Sequence, residues 1–312
     1  LENNFLDNYR GKNPSWGPLG YFTYKRTYAR PLDEEGTTEE FWQTCQRVVE
    51  GVYTTQMRHC ETLLLPWSGS KAQRSAQEMY RRMWEFKFLP PGRGLWSMGT
   101  KALDKVGGAC LNNCAFVSTE GLTNQNFSDP FCFLMDMSML GVGVGADTKG
   151  EGNVTISNPN YSSEVYIVED SREGWVDLIR AILNSYTTDT LQPIKIDYSN
   201  IRKKGEPLKV FGGKSSGYEP LEKLVGSLKE LLTPKDEKPY LLTSSIIVDI
   251  FNLIGKCVVS GGIRRTAEIM LGDPSDKEFL SLKDDQEKLM SHRWASNNSV
   301  FGTVGMDYTD LA

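Results

Sequence analysis

Gly108-Ala109-Cys110-Leu111-Asn112-Asn113-Cys114-Ala115-Phe116-Val117-Ser118-Thr119 runs from a glycine-rich turn into a strand-like segment. Further on, Asp129-Pro130 sets a proline in the first turn of a helix predicted to reach Leu140, and Gly141-Val142-Gly143-Val144-Gly145 reads as a glycine-dense buried strand. Strand, helix, strand in that order argues for parallel α/β architecture. Within the stretch, Cys114 carries the chemistry. A thiol at the mouth of a strand, flanked by amides and hydroxyls that hydrogen-bond polar ligands, is placed for redox or radical work. The competing reading is a buried cysteine serving as a small hydrophobe.

Upstream, Leu89-Pro90-Pro91-Gly92-Arg93-Gly94-Leu95-Trp96-Ser97-Met98-Gly99-Thr100 reads as a loop in which prolines fix φ and glycines free it, so its backbone can approach a ligand closely. Residues 1–88 read as a helical lead-in. Thr37-x-x-Glu40 before Phe41, Val48, Val49 and Val52 is a capping-box start for a helix over 37–60. A second helix is expected over 71–88, with Met79, Met83 and Phe86 on one core-facing stripe and Arg81-Arg82 solvated.

Downstream, the polar residues 150–192 interrupt the rhythm as an insertion containing a helix capped by Ser171. The α/β pattern resumes with a strand over Pro193–Asp197, a turn-rich stretch from Gly205 to Gly217, and a helix over Glu219–Leu232. The longest helix follows, beginning near Thr243-Ser244-Ser245 and running through Ile250, Ile254 and Val258 to a break at Ser260-Gly261-Gly262. The organisation expected is a helical region over 1–88 and an α/β unit over 89–312.

With 312 residues and 39% hydrophobic content the chain can bury a substantial core. A net charge of -5 argues against a general nucleic-acid binder. No apolar run approaches the roughly 20 residues of a membrane helix, and the polar start Leu1-Glu2-Asn3-Asn4 is no signal peptide, so a soluble cytoplasmic protein is expected. Six scattered cysteines in a chain of this size read as reduced thiols. Cys110-x3-Cys114 has no second Cys/His pair nearby, so no metal site is expected.

Two further constellations bear on ligands. Ser260-Gly261-Gly262-Ile263-Arg264-Arg265-Thr266-Ala267-Glu268 ends an apolar helix with two glycines and two adjacent guanidinium groups. Arginine forks suit phosphates and base edges, yet a helix C-cap with arginines paired to Glu268 fits the same spacing. Gly212-Gly213-Lys214-Ser215-Ser216-Gly217 offers N–H groups, hydroxyls and a lysine just before a helix, the chemistry of an anion site without P-loop spacing. Of the two histidines, His59 and His292, neither has a local Ser, Cys or carboxylate partner, and both read as structural.

Taken together, Pro90-Pro91-Gly92-Arg93-Gly94-Leu95-Trp96 and Leu111-Asn112-Asn113-Cys114-x-Phe116-Val117-Ser118 closely resemble adenosylcobalamin-dependent ribonucleoside triphosphate reductase. So do Phe211-Gly212-Gly213-x-x-Ser216-Gly217, Asn252-Leu253-Ile254-Gly255-Lys256-Cys257-Val258-Val259, Arg264-Arg265-x-Ala267-Glu268 and His292-Arg293-Trp294-Ala295-Ser296-Asn297-Asn298-Ser299-Val300. The resemblance runs in order from about residue 15 to 302.

It implies a fold: the first half of a ten-stranded α/β barrel made of two five-stranded parallel halves, preceded by the helical N-terminal region. It implies a reaction, the radical replacement of a ribose 2′-hydroxyl by hydrogen, started by adenosylcobalamin and supplied with electrons by a cysteine pair. Cys114 matches one member of that pair, and Cys110 matches no functional position. Asn112, Asn113 and Ser118 align beside the ribose; Gly92, Arg93, Gly94, Leu95 and Trp96, with Gly141, Val142 and Gly143, align with the lining of the substrate pocket. Gly213, Lys214, Ser215, Ser216 and Gly217 resemble a specificity loop beside a deoxynucleoside triphosphate effector. Gly261, Gly262, Ile263, Arg264 and Arg265 resemble a second, joining effector and substrate sites. That resemblance favours the ligand reading of the arginine segment.

The insertion over 150–192 falls where monomeric members carry sequence that replaces a dimer contact, which implies a monomer. The radical cysteine of the family lies in an Asn-Pro-Cys-Gly-Glu segment that is absent here. The implied partners are a ribonucleoside triphosphate, a C-terminal half as continuation or second chain, and a thioredoxin-like or dithiol reductant. Half a barrel would expose strand edges and an apolar face, so residues 1–312 are expected to need that half for stability. The alternative function is a non-catalytic nucleotide-binding or assembly subunit, against which the presence of Cys114 weighs.

Overall fold

The computed structural model describes residues 1–32, 36–208, 214–260, 267–307 and 309. Two compact units emerge, Leu1–Asn112 and Asn113–Ala312. Residues 89–112, which sequence texture groups with the half-barrel, pack within the first.

The first unit is helical. Helix α1, Phe41–Thr62, starts one capping box later than the sequence suggests: Glu40 is the N-cap, its side chain accepts from the N3 backbone, and Gln43 reaches back to the Glu40 N–H at 2.8 Å. Helix α2, Gly69–Trp84, is capped by Ser68 and ends before Phe86, which leaves the predicted stripe by turning at φ 54°. Phe86 still joins the core by stacking on Phe41 at 5.3 Å, in an aromatic cluster with Trp16, Tyr24, Tyr80 and Trp84. The Pro-Gly loop is also partly helical: after Pro90-Pro91, Gly92–Ser97 forms the short helix α3. Prolines just ahead of a first turn pre-set φ, which explains why a loop-like composition winds here.

The second unit is built on a four-stranded, wholly parallel sheet: β1 (Cys114–Val117), β2 (Gly143–Asp147), then β5 (Glu268–Gly272) and β6 (Ser296–Val300) in spatial order. Helix α4, Asp129–Met139, connects β1 to β2, and α7, Ser244–Val259, capped by the Thr243 hydroxyl, precedes β5. The family's first half implies five parallel strands; the described residues hold four in this sheet.

Between β2 and α7 lies the inserted sequence. A two-stranded parallel ribbon pairs β3 (Tyr161–Ile167) with β4 (Gln192–Asp197), joined through α5 (Arg172–Asn184), whose N-cap is Ser171 as expected. The strand at 193–197, read as a return to the barrel rhythm, belongs instead to this ribbon. Its partner is the nearest unpaired strand in sequence, and the intervening helix is a crossover long enough for a parallel pair. Helix α6, Glu219–Leu232, follows.

Helices α4, α5, α6 and α7 share one core. Phe131 meets Phe251 at 5.0 Å, and Leu178, Ile182, Leu228 and Ile254 are fully buried around them. That core covers one face of the sheet only. Among the described residues no helix is long and apolar enough to cross a membrane.

Candidate functional site

Cys114 opens β1 with its thiol exposed. In a parallel sheet paired residues point to the same face, so register sorts the side chains. Cys114 pairs with Gly143 on β2, and two residues on, Phe116, Gly145, Ile269 and Asn297 form a row across all four strands. Phe116 and Ile269 are exposed, which makes this the open face. Gly145 allows their positions: a Cβ there would stand 2.8 Å from Phe116 Cδ2 and 3.0 Å from Ile269 Cγ2. Beside the thiol, the Gly143 N–H donates to Asn113 O at 2.9 Å, fixing Asn113 against the start of β2.

Gly141 and Val142 are not strand residues. Gly141 has φ 78°, its N–H donates to Ser138 O at 2.8 Å, and the Val142 N–H donates to Met137 O at 3.0 Å. This paired Schellman closure of α4 requires a left-handed residue, which glycine supplies without steric cost. The turn delivers the chain to Gly143, the neighbour of Cys114. At the far end of β1, Ser118 is exposed and its hydroxyl accepts from the Glu120 N–H at 3.2 Å. Next to it, buried Thr119 and Asp147 lock the ends of β1 and β2: the Thr119 N–H and hydroxyl both donate to Asp147 Oδ1 at 2.8 Å.

The candidate residues of the first unit form their own cluster. The Arg47 guanidinium donates to Leu95 O at 2.8 Å and to Met98 O, and is held by buried Glu39, which holds the α3 segment against α1. Trp96 lies under the Arg30 guanidinium, 4.2 Å from its ring centroid. Gly92 faces Tyr28 and Gly94 faces Pro90, whose Cβ would be 2.9 Å from an added Cβ. Cys110 is fully buried; its thiol donates to Gly107 O at 3.3 Å, and burial raises its pKa against the opposing Ser97 hydrogen bond and Arg93 charge. Arg93 is half-buried, and that burial lowers its pKa. Asn112 closes this unit, exposed.

Of the segments expected to face an effector, Lys214 bridges to Pro207 and is exposed. The Ser215 hydroxyl donates to Arg202 O at 3.2 Å and accepts from the Gly217 N–H at 3.0 Å, while the Ser216 hydroxyl donates to Gly217 O. Both hydroxyls are therefore engaged within the turn. Glu219 and Glu222 occupy the first turn of α6 and answer its dipole. Gly213, Gly261, Gly262, Ile263, Arg264 and Arg265 lie outside the described residues.

Sequence reasoning missed two buried clusters beneath the covered face. Asp249 on α7 accepts from Arg293 Nε at 2.6 Å and Nη2 at 2.9 Å, with His292 Nε2 at 2.9 Å and Lys288 at 3.4 Å. His292 does have a carboxylate partner, but forty-three positions away, where local spacing cannot find it. The second cluster joins Asn252, Glu268 and Ser296. No group of three or more His, Cys, Asp or Glu side chains is arranged to hold a metal among the described residues.

Comparison with known proteins gives consistent matches. Residues 1–100 match the ribonucleotide reductase alpha domain, and residues 141–232 match the insertion domain of B12-dependent ribonucleotide reductase. A Dictyostelium discoideum protein named "Probable adenosylcobalamin-dependent ribonucleoside-triphosphate reductase" is 46% identical, covering 100% of this chain and 43% of its own length. The adenosylcobalamin-dependent ribonucleoside-triphosphate reductase of Euglena gracilis is 45% identical, covering 99% of this chain and 43% of its own. A crystal structure of a B12-dependent, class II ribonucleotide reductase superposes with a TM-score of 0.77 at 33% identity, over 96% of this chain and 48% of that one. The chain thus spans less than half the length of the curated relatives it matches.

Proposed function

Because this chain belongs to the B12-dependent ribonucleotide reductase family, whose N-terminal portion it matches, we propose that it takes part in reducing ribonucleoside triphosphates to 2′-deoxyribonucleoside triphosphates, with Cys114 as one of two reducing thiols. The observation that carries this is the exposed Cys114 thiol on the open face of the sheet, paired with a glycine that adds no side chain beside it.

The chemistry balances as a two-electron reduction. The substrate loses its 2′-hydroxyl as water and gains hydrogen at that carbon, while two thiols become one disulfide that an external dithiol or thioredoxin-like protein reduces again. Cys114 supplies one of these sulfurs. Asn113, whose carbonyl accepts from the Gly143 N–H, and Ser118 flank β1 and offer polar groups to the ribose, and the family resemblance also assigns Asn112, Gly92, Arg93, Gly94, Leu95 and Trp96 to the substrate. Adenosylcobalamin, when bound, supplies the initiating radical. On the open face Gly143 carries no side chain beside Cys114, which leaves room for a group to approach there, and most of the residues that would hold the cobalamin are assigned to the remainder of the reductase. Control by a deoxynucleoside triphosphate is assigned to Gly213, Lys214, Ser215, Ser216 and Gly217 and to Gly261, Gly262, Ile263, Arg264 and Arg265. A monomeric, cytoplasmic enzyme completes the reading.

The test is Cys114→Ser in the complete reductase. Multiple-turnover reduction by dithiol should vanish, while cofactor cobalt–carbon cleavage persists. Undiminished turnover would refute the role of Cys114 and favour a nucleotide-binding or assembly subunit.

A further inference from the structure

Glu268, the first residue of β5, is 3% exposed on the covered face of the sheet. Its Oε2 accepts from the Asn252 amide at 3.4 Å, and that amide also donates to Ser296 Oγ on β6 at 3.0 Å. Oε1 has no hydrogen-bond partner among the described residues. The carboxyl fills a notch in α7: a Cβ on Gly255 would stand 1.8 Å from Glu268 Oε1 and 2.6 Å from Cδ. Asn252 and Gly255 are three residues apart and share one helix face, so a single turn of α7 receives this one carboxyl. Burial pushes the Glu268 pKa well above the ordinary carboxylate range. An ionised group in such a pocket would have to forgo its hydration without a countercharge among the described residues.

The junction lies next to the chemistry in two senses. In the chain, α7 and β5 are the elements before and after residues 260–267, which contain the segment assigned above to communication between effector and substrate sites. In the sheet, Ala267 O, one residue before Glu268, accepts from the Val144 N–H at 2.9 Å and lies 3.5 Å from where a Gly143 Cβ would be. Gly143 is the strand partner of Cys114.

We propose that Glu268 is a positioning residue of the reductase: seated in the Gly255 notch and tied to Asn252, it locks α7 to β5 and β6, so that effector identity is transmitted to the backbone beside Cys114. This rests on the reductase reading of the site. Buried on the covered face, Glu268 acts through Ala267 and Gly143 and not by contact with a ligand on the open face.

The test uses the complete reductase. Substrate preference among ribonucleoside triphosphates is measured with and without each deoxynucleoside triphosphate for wild type, E268Q, E268L and N252A, with an infrared difference spectrum between wild type and E268Q. Glutamine is neutral and of the same shape, so E268Q should keep the effector response. E268L should lose roughly tenfold or more of the effector-dependent shift in preference, within the usual range of coupling between sites, while effector-free turnover stays within about threefold. The spectrum should show a protonated-carboxyl carbonyl band in wild type that E268Q removes. Wild-type selectivity in E268L overturns the proposal. So does an E268Q as impaired as E268L with no such band, because Glu268 would then be ionised and paired. Should E268L fail to fold, N252A decides: a weakened effector response supports the junction and an unchanged one rejects it. A wild-type enzyme that turns over without any effector response overturns the proposal, whereas a complete protein without any turnover sinks the reductase reading instead.

Discussion

On the covered face of the four-stranded sheet, Val144, Ala146 and Met270 are at most 2% exposed, whereas on the open face Phe116 is 51% and Ile269 40% exposed. The strands are the same and the register is shared, so the contrast comes from what packs on each side. Beneath lie α4 and α7 with the aromatic and aliphatic core; above are a thiol, two glycines and half-buried apolar side chains. Parallel sheets are ordinarily covered on both faces, so a bare face marks a place where ligand or further protein packs. The covered face therefore carries stability, and the open one is free to carry reactivity. Even the polar groups divide this way. Asp249, Asn252, Glu268 and Ser296 are buried and bonded below, while Cys114 and Ser118 are exposed above.

The sharpest way to break this division is to disturb the covered side at Asp249. Asp249→Ala should cost about 3–5 kcal/mol, because it strands the buried Arg293 guanidinium without its partner. Denaturant unfolding would show it; a loss below about 1 kcal/mol would mean that the cluster is dispensable. The same residue sets an acid limit. Burial by itself would raise its pKa, but hydrogen bonds from His292 and Arg293 outweigh burial and hold it at about 2. A folded pKa below the unfolded one stabilises at higher pH, so this contribution is complete above the usual aspartate range and is lost as pH falls from about 4 towards 2. Asp249→Asn should flatten that part of the stability profile.

Next in size is a matched pair across the sheet. Met270→Ala, on the covered face, should cost about 2–5 kcal/mol through lost contacts and a residual cavity. Phe116→Ala, on the open face, removes a larger side chain, yet should cost less than about 1 kcal/mol, since half of that ring already meets solvent. Equal losses would show that the open face behaves as core.

What was legible in sequence follows the same line. The order strand, helix, strand from Cys114 to Gly145, the cap at Ser171 and the helix start near Thr243 depend on neighbours a few residues apart, and they stand. The strand over 192–197 was legible as a strand but not as the partner of β3, because pairing is a long-range choice that local composition does not encode. Gly141 lay in a glycine-rich run that reads as strand, and only the backbone shows it closing a helix. Within the candidate site, Cys114 stood out by its setting. Phe116 had a usable signal, the two-residue step from Cys114 along β1 that puts both on one face. Asp249 with His292, and Asn252 with Glu268 and Ser296, had none, since each partnership joins a helix to residues one or more elements away.

The gentlest probe of the comparison changes no side chain at all. Six cysteines sample the molecule, and alkylation of the native protein reads their access. Burial pushes Cys132 and Cys257 up to about 12 and raises Cys45 as well, so at mildly alkaline pH these thiols are both protonated and enclosed. Iodoacetamide followed by peptide mass mapping should therefore modify Cys114 first and half-buried Cys60 next. Cys45, Cys110, Cys132 and Cys257 should react only after unfolding. Cys110 is the informative control, because it stands four positions before Cys114 yet is fully enclosed. Labelling both at one rate would mean that sequence proximity, not the face of the sheet, sets reactivity. Labelling Cys257 as fast as Cys114 would mean that the helical cover opens readily. Cys114 labelled alone at early times leaves the open face as the place where this chain exposes a reactive sulfur, and such a modification should shift the unfolding free energy by less than about 0.5 kcal/mol.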